Sequence, residues 1–170
     1  MKLSHPWRDL RGYIEARLEE AEAEFQLASK FLEERIHRNA AGKAFQGWKA
    51  ALAAAAALNI ERIGELLKGK VRMRDGKIVS RAEWVAAFMP TGLMRPIAKA
   101  LESAYGEEIV ALTDLALNLH EFQYNGLDET GVLSRYLSLD HVESDIEKLI
   151  SRGKNFVSML RRSNKLTSTS

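Results

Sequence analysis

From Trp7 to Ile36 the apolar side chains recur in steps of three and four: Trp7, Leu10, Ile14, Leu18, Ala21, Phe25, Ala28, Leu32 and Ile36. That spacing draws one stripe down one long helix, with Pro6 in its first turn and Ser4 as its cap. Glu15, Glu19, Glu22, Arg8 and Arg11 fill the rest of the surface and read as a solvated face. A single stripe must be buried against a second element. The next segment supplies one: after a turn at RNAAGKAF, with Asn39 as a cap, a helix is expected from about Ala40 to Leu58. Its Phe45, Trp48, Leu52 and Ala55 share a face, beside a ridge of small residues, Ala44, Gly47, Ala51 and Ala55. Such a ridge lets another backbone approach closely. It serves either a tight hairpin with the first helix or a dimer seam, and the hairpin needs it in any case.

Downstream, Asn59 is expected to cap a short helix, Ile60–Leu67. In KGKVRMRDGKIVS, Lys68–Ser80, the pair Asp75-Gly76 lies between Val71, Met73 and Ile78, Val79, which predicts either a small β-hairpin or an exposed basic loop. Ser80 caps RAEWVAAFM, which Pro90 ends, and Pro96 opens a further short helix. Beyond Gly106, Glu107 and Glu108 suit a helix N-terminus. Leu112, Leu115, Leu119 and Phe122 form that helix's core stripe, and Asn125-Gly126 stops it. Asp140 is expected to cap a last helix, with Gly153 weakening it midway. Together these predict an all-α bundle of about five main helices in one domain, residues 1–162, followed by a polar, disordered tail, 163–170.

Composition narrows the chemistry. There is no cysteine, which removes disulfides, thiolate zinc sites and a thiol nucleophile. The 25 basic and 23 acidic side chains leave a net charge of +2, so only local clusters can argue for nucleic acid. No secretory h-region is visible, and the apolar run Ala50–Leu58 is too short to span a bilayer, so a cytoplasmic protein without a membrane partner is expected. The four histidines are scattered, without one-turn pairs or an HExxH, so no metal site is expected. No phosphate-binding or dinucleotide-binding glycine loop and no GxSxG is present, and no cofactor is expected.

Two stretches, NAAGKAFQGWKAALAAAAALN (Asn39–Asn59) and LALNLHEFQYNG (Leu115–Gly126), resemble the archaeal PaREP-type proteins. The order of two long helices followed by a histidine-bearing helix is similar as well. That family is grouped with the HEPN helical bundles, which often dimerise and of which many act in RNA cleavage or partner small nucleotidyltransferases. The resemblance implies an HEPN-like fold with a long N-terminal antiparallel hairpin. It also implies a homodimeric module that binds RNA, a nucleotide or a partner protein, without catalysis.

The ribonuclease members of the HEPN group carry an arginine, four to six residues, then a histidine. At His120 the required upstream positions are Thr113, Asp114 and Leu115, so the pair is absent there. Arg135 and His141 have the right spacing, but about one such match arises by chance in a chain of this composition. Within the bundle, His120 and Tyr124 stand one helical turn apart, where a histidine serves as a general acid or base, as a ligand contact, or as a hydrogen-bonded core residue. Asp114 lies about 120° around the helix from His120 and makes a poor partner. The expected ligand pocket is lined by His120 and Tyr124, with Lys43 and Trp48 opposite. The alternative is a metal-independent endoribonuclease using His120 or the Arg135–His141 pair; a third reading is a purely structural oligomer. Basic residues Arg35, His37, Arg38 and Lys43, together with Lys68–Lys77, are candidates for a phosphate-binding surface.

Overall fold

The apolar stripe forms helix α1, Leu10–Glu33, in the computed structural model, which describes residues 5–166. Its start differs from the expectation. Asp9 is extended at φ −153 and accepts from the Gly12 amide at 2.9 Å, so the helix begins after Trp7 rather than at it. Trp7 stacks on His5 outside the helix. Ser4 lies outside the described residues. At the other end Arg35 is left-handed, with φ 59. The Arg35 amide donates to the Leu32 carbonyl and the Ile36 amide to Phe31, the paired bonds of a Schellman stop. The chain therefore turns at once into α2, His37–Leu58. Asn39 is the third residue of α2 and not its cap; Ile36 holds that position without a side-chain hydrogen bond.

Helix α2 is the axis of the bundle. From Ala40 to Ala57 only Lys43, Gln46 and Lys49 escape burial, and α1, α4, α5, α6 and α7 all pack on it. Its alanines permit this, because five neighbours fit around one helix only where most side chains end at Cβ. The ridge Ala44, Gly47, Ala51 and Ala55 is fully inside. A Cβ on Gly47 would sit 2.8 Å from the Phe25 ring of α1. The ridge thus serves the α1–α2 contact, and no surface remains on it for a dimer seam.

Asn59 stands at the N-cap of the next helix, α3, Ile60–Leu66, as expected, but its side chain makes no capping bond. Its amide turns back, donating to the Ala55 carbonyl at 2.9 Å and bonding the Tyr105 hydroxyl at 2.8 Å. The basic stretch is a β-hairpin, β1 (Lys70–Arg72) against β2 (Ile78–Ser80), in register Lys70↔Ser80, Val71↔Val79, Arg72↔Ile78. Gly76, at φ 81, turns it, with the Lys77 amide held by Asp75. Helix α4, Arg81–Phe88, starts on a complete Ser80/Glu83 capping box, as its sequence requires. Pro96 sits inside α5, Thr91–Tyr105, and does not open it.

Helix α6 runs Glu108–Asn125 and stops at Gly126, φ 69. Helix α7, Leu139–Leu166, starts one residue before Asp140, which lies in its first turn. It also continues through 163–166, where a disordered tail was expected; residues 167–170 lie outside the described residues. Among the described residues the architecture is all-α: five helices of 15 residues or more, two short helices and one hairpin. One buried cluster runs through α1, α2, α5, α6 and α7, with Trp48, Tyr13, Phe25, Phe45 and Phe122 its largest closed-off side chains.

Candidate functional site

Burial of α2 leaves a narrow polar strip exposed between α1 and α6, and the candidate site lies along it. Glu24 and Phe31 come from α1, Arg38, Asn39, Gly42, Lys43 and Gln46 from α2, and Gln123 from α6, around a cleft of about 670 Å³. Gly42 makes the cleft's floor. The Gln123 amide packs so closely on it that a Cβ there would lie 2.6 Å from the amide carbon. Lys43 Nζ lies 2.9 Å and 3.3 Å from the two Glu24 carboxylate oxygens, an ion pair that ties α1 to α2 across one wall. Arg38 donates from Nε to the Gln123 carbonyl at 3.0 Å and from Nη2 to the Tyr124 carbonyl, closing the C-terminal end of α6.

His120 stands one turn before Gln123 on α6 and meets α2 at Phe45. The two rings stack with centroids 4.0 Å apart and planes 19° apart. Tyr124 touches the imidazole edge-on at 5.2 Å but is itself 66% exposed. Two polar atoms of this group are buried without a hydrogen-bond partner, His120 Nδ1 and Gln123 Oε1. Burial lowers the His120 pKa below its usual value, the nearby Lys49 charge pushes the same way, and the Gln123 amide opposes them. The imidazole is therefore held neutral near pH 7, with one nitrogen to donate and one to accept.

The structure brings His120 and Tyr124 together, sets Lys43 in the adjoining cleft, and separates Trp48 from all three. Trp48 is fully buried, donates its indole N–H to Thr113 Oγ1 at 2.9 Å, and packs on Phe156. Thr113 in turn donates to the Ile109 carbonyl at 2.7 Å. Trp48 is thus a core residue, and Phe45, three residues earlier on the same face, takes the place expected for it opposite His120. Sequence reading also missed Gln123, Glu24 and Gly42; the HEFQYN stretch held Gln123 in plain view, but only the α2–α6 register reveals what it faces.

The second candidate pair is spatially coherent. Arg135 and His141 line one small cleft of about 290 Å³, with Asn118, Tyr136, Ser144 and Asp145. Arg135 is committed there to Asn118 Oδ1 and to Glu121 Oε2 at 3.1 Å. The Tyr136 hydroxyl donates to Asp145 at 2.7 Å, and burial together with that carboxylate drives its pKa far up. Tyr136 is thereby a fixed donor rather than a base. Of the basic residues near the α1–α2 turn, His37 bonds Glu143 at 2.5 Å and Arg35 lies 3.6 Å from the same carboxylate. Among the described residues no group of three or more His, Asp or Glu is arranged to hold a metal ion, and no helix is long and apolar enough to cross a membrane.

The chain is thus an all-α bundle whose central alanine-rich helix borders a polar cleft together with the helix that carries His120. The model of the archaeal PaREP1/PaREP8 family matches residues 16–147, most of the chain, and the chain belongs to that family. The match spans the cleft, His120, the Arg135–His141 pair and the basic hairpin. No curated protein and no solved structure matches the chain.

Proposed function

We propose that this chain is an HEPN-like, dimeric binding module whose α1–α2–α6 cleft takes a nucleotide, free or as an unpaired residue of RNA, without catalysing a reaction. The observation that carries the reading is the pair of buried, unpartnered atoms, His120 Nδ1 and Gln123 Oε1, beside a cleft bordered by Lys43 and Arg38. An amide and a neutral imidazole present the donor–acceptor pattern that a base edge satisfies. A phosphate oxygen competes with Glu24 for Lys43 and reaches the uncommitted Nη1 of Arg38. The Phe31 ring in the wall offers apolar area to a base. Dimerisation is supported by the apolar residues left exposed around the α6–α7 loop, with Val132 78% and Leu133 63% accessible.

Calorimetric titration with the four ribonucleoside monophosphates tests the cleft. We expect saturable binding that weakens at least tenfold in Lys43→Ala and in Gln123→Leu, with the nucleotide recovered intact. No heat at millimolar nucleotide, or equal affinity in both variants, refutes the reading. Light scattering over a concentration series tests the dimer, with Val132→Asp/Leu133→Asp expected to give a monomer; a monomer at every concentration of the unaltered chain ends that part.

A second reading, a metal-independent endoribonuclease, is favoured by one observation, the shared cleft of Arg135 and His141. Labelled RNA incubated in chelator with the native chain, His120→Ala and His141→Ala decides it. Loss confined to His141→Ala supports the enzyme, and equal activity in all three samples removes it.

A further inference from the structure

The most polarised part of the molecule is the β-hairpin. Residues 68–81 carry six cations, Lys68, Lys70, Arg72, Arg74, Lys77 and Arg81, against one acid, Asp75. The whole chain is at +2, so the remaining residues sum to −3 while this stretch holds +5. All six side chains are exposed. Elsewhere several arginines and lysines are drawn into ion pairs, as Arg17, Lys43, Arg95, Arg135, Arg152 and Arg161 are, and the remaining cations are not gathered in one short stretch. Among the described residues none of the hairpin's six has a carboxylate partner.

The ribbon is also held in place. Val71 and Val79 face each other on the inner side; Val79 is 4% exposed, and both strands contact α4. Alternation then sends Lys70 and Arg72 to the outer side, with Arg74 and Lys77 at the tip. Self-repulsion among six uncompensated charges destabilises the bare hairpin, and a polyanion relieves it. The outer side carries no aromatic residue, which argues against stacking on a single strand. A two-stranded ribbon matches the roughly 12 Å major groove of B-form DNA, whereas the A-form major groove is too deep and narrow for side chains to read. Lone Ile78, 53% exposed, is too little apolar area for insertion into a bilayer.

We infer that the hairpin with its flanking residues, Lys68–Arg81, is a docking ribbon for the phosphate backbone of duplex DNA. This surface is separate from the nucleotide cleft and does not depend on it. Six phosphate contacts give a log–log salt slope of about −5, so affinity for a duplex falls about 10³-fold between roughly 50 and 200 mM salt. Fluorescence anisotropy with labelled DNA duplex, RNA duplex, single-stranded DNA and phosphatidylserine vesicles reads this directly. Arg72→Ala/Arg74→Ala/Lys77→Ala reduces the slope to about −3 and the fall to about 40-fold. If that variant melts early, Lys68→Ala/Lys70→Ala/Arg81→Ala reads the same slope change. Lys30→Ala/Lys148→Ala/Lys154→Ala, an equal loss of charge elsewhere, leaves the slope unchanged, as does Gln123→Leu in the cleft. An unchanged slope in the hairpin variants, an equal fall in the control, or tighter binding of RNA duplex, single strand or vesicle overturns the inference.

Discussion

Replacing Gly153 by alanine tests the packing that sets the whole bundle. Helix propensity favours the change by about 1 kcal/mol in the interior of α7. Packing opposes it. The Phe25 ring of α1 is wedged between Gly47 of α2 and Gly153 of α7 and is fully buried. A Cβ at Gly153 would overlap Cζ and lie 2.7 Å and 2.9 Å from Cε2 and Cε1. The ring has little room to retreat, because it also packs on Gly47 so closely that an added Cβ there would lie 2.8 Å from it. Overpacking of a closed core costs about 1–3 kcal/mol, and a ring held on both sides belongs at the upper end. The net expectation is a loss of about 2 kcal/mol, or roughly 4–8 °C in Tm for a chain of this length. Urea unfolding followed by circular dichroism measures it, with the midpoint falling by about 1 M at an m value of about 2 kcal/mol/M. Phe25→Leu in the Gly153→Ala background recovers part of the loss, and the double-mutant cycle gives a coupling of about 1 kcal/mol or more. A Gly153→Ala variant more stable than the native chain refutes the wedge and, with it, the α1–α2–α7 arrangement.

Gly42→Ala goes the other way in stability: its neighbour is the movable end of Gln123, so the propensity gain of about 1 kcal/mol survives in the melting curve, while the displaced amide abolishes the nucleotide binding proposed for the cleft, read by the same calorimetric titration. Arg35→Gly removes the left-handed strain of a residue that is exposed and only 3.6 Å paired, and raises stability by about 1 kcal/mol in the same urea assay. His120 titrates below its unfolded pKa of about 6.5 in an imidazole NMR titration. Because the unfolded chain takes up the proton first, His120's contribution to stability is intact above about pH 6.5 and is lost as pH falls toward the folded pKa; a shift upward contradicts the site. Thr113→Val leaves the buried Trp48 indole N–H without an acceptor and costs about 1–3 kcal/mol, read by unfolding that tracks tryptophan fluorescence.

Much of the helix order is legible in the chain because its signals are local. The Ser80 cap, the Asp75-Gly76 turn and the Asn125-Gly126 stop each act within a few residues, and each stands where the residues place it. Helix ends were less legible where two local signals compete. Asn39 and Asp140 are good caps by type, yet the Schellman turn at Arg35 starts α2 before Asn39 is reached, and α7 starts at Leu139. Pro96 shows the same limit: its fixed φ suits a first turn, but the capping carbonyl of Pro90 starts α5 five residues earlier.

The sequence by itself determined that this chain builds long amphipathic helices, one of them alanine-rich and folded back on the first, because periodicity and small side chains are written residue by residue. Only the tertiary structure decided what faces what. Phe45 and Trp48 share one face of α2, and nothing local distinguishes them; the register of α2 against α6 gives His120 to Phe45 and buries Trp48 against Thr113. Gly153 reads locally as a weak point in α7, and the packing shows it as the space that Phe25 needs. Register is fixed by contacts between residues far apart in the chain, so it is set by how volumes fit across helices and not by the preference of any one segment.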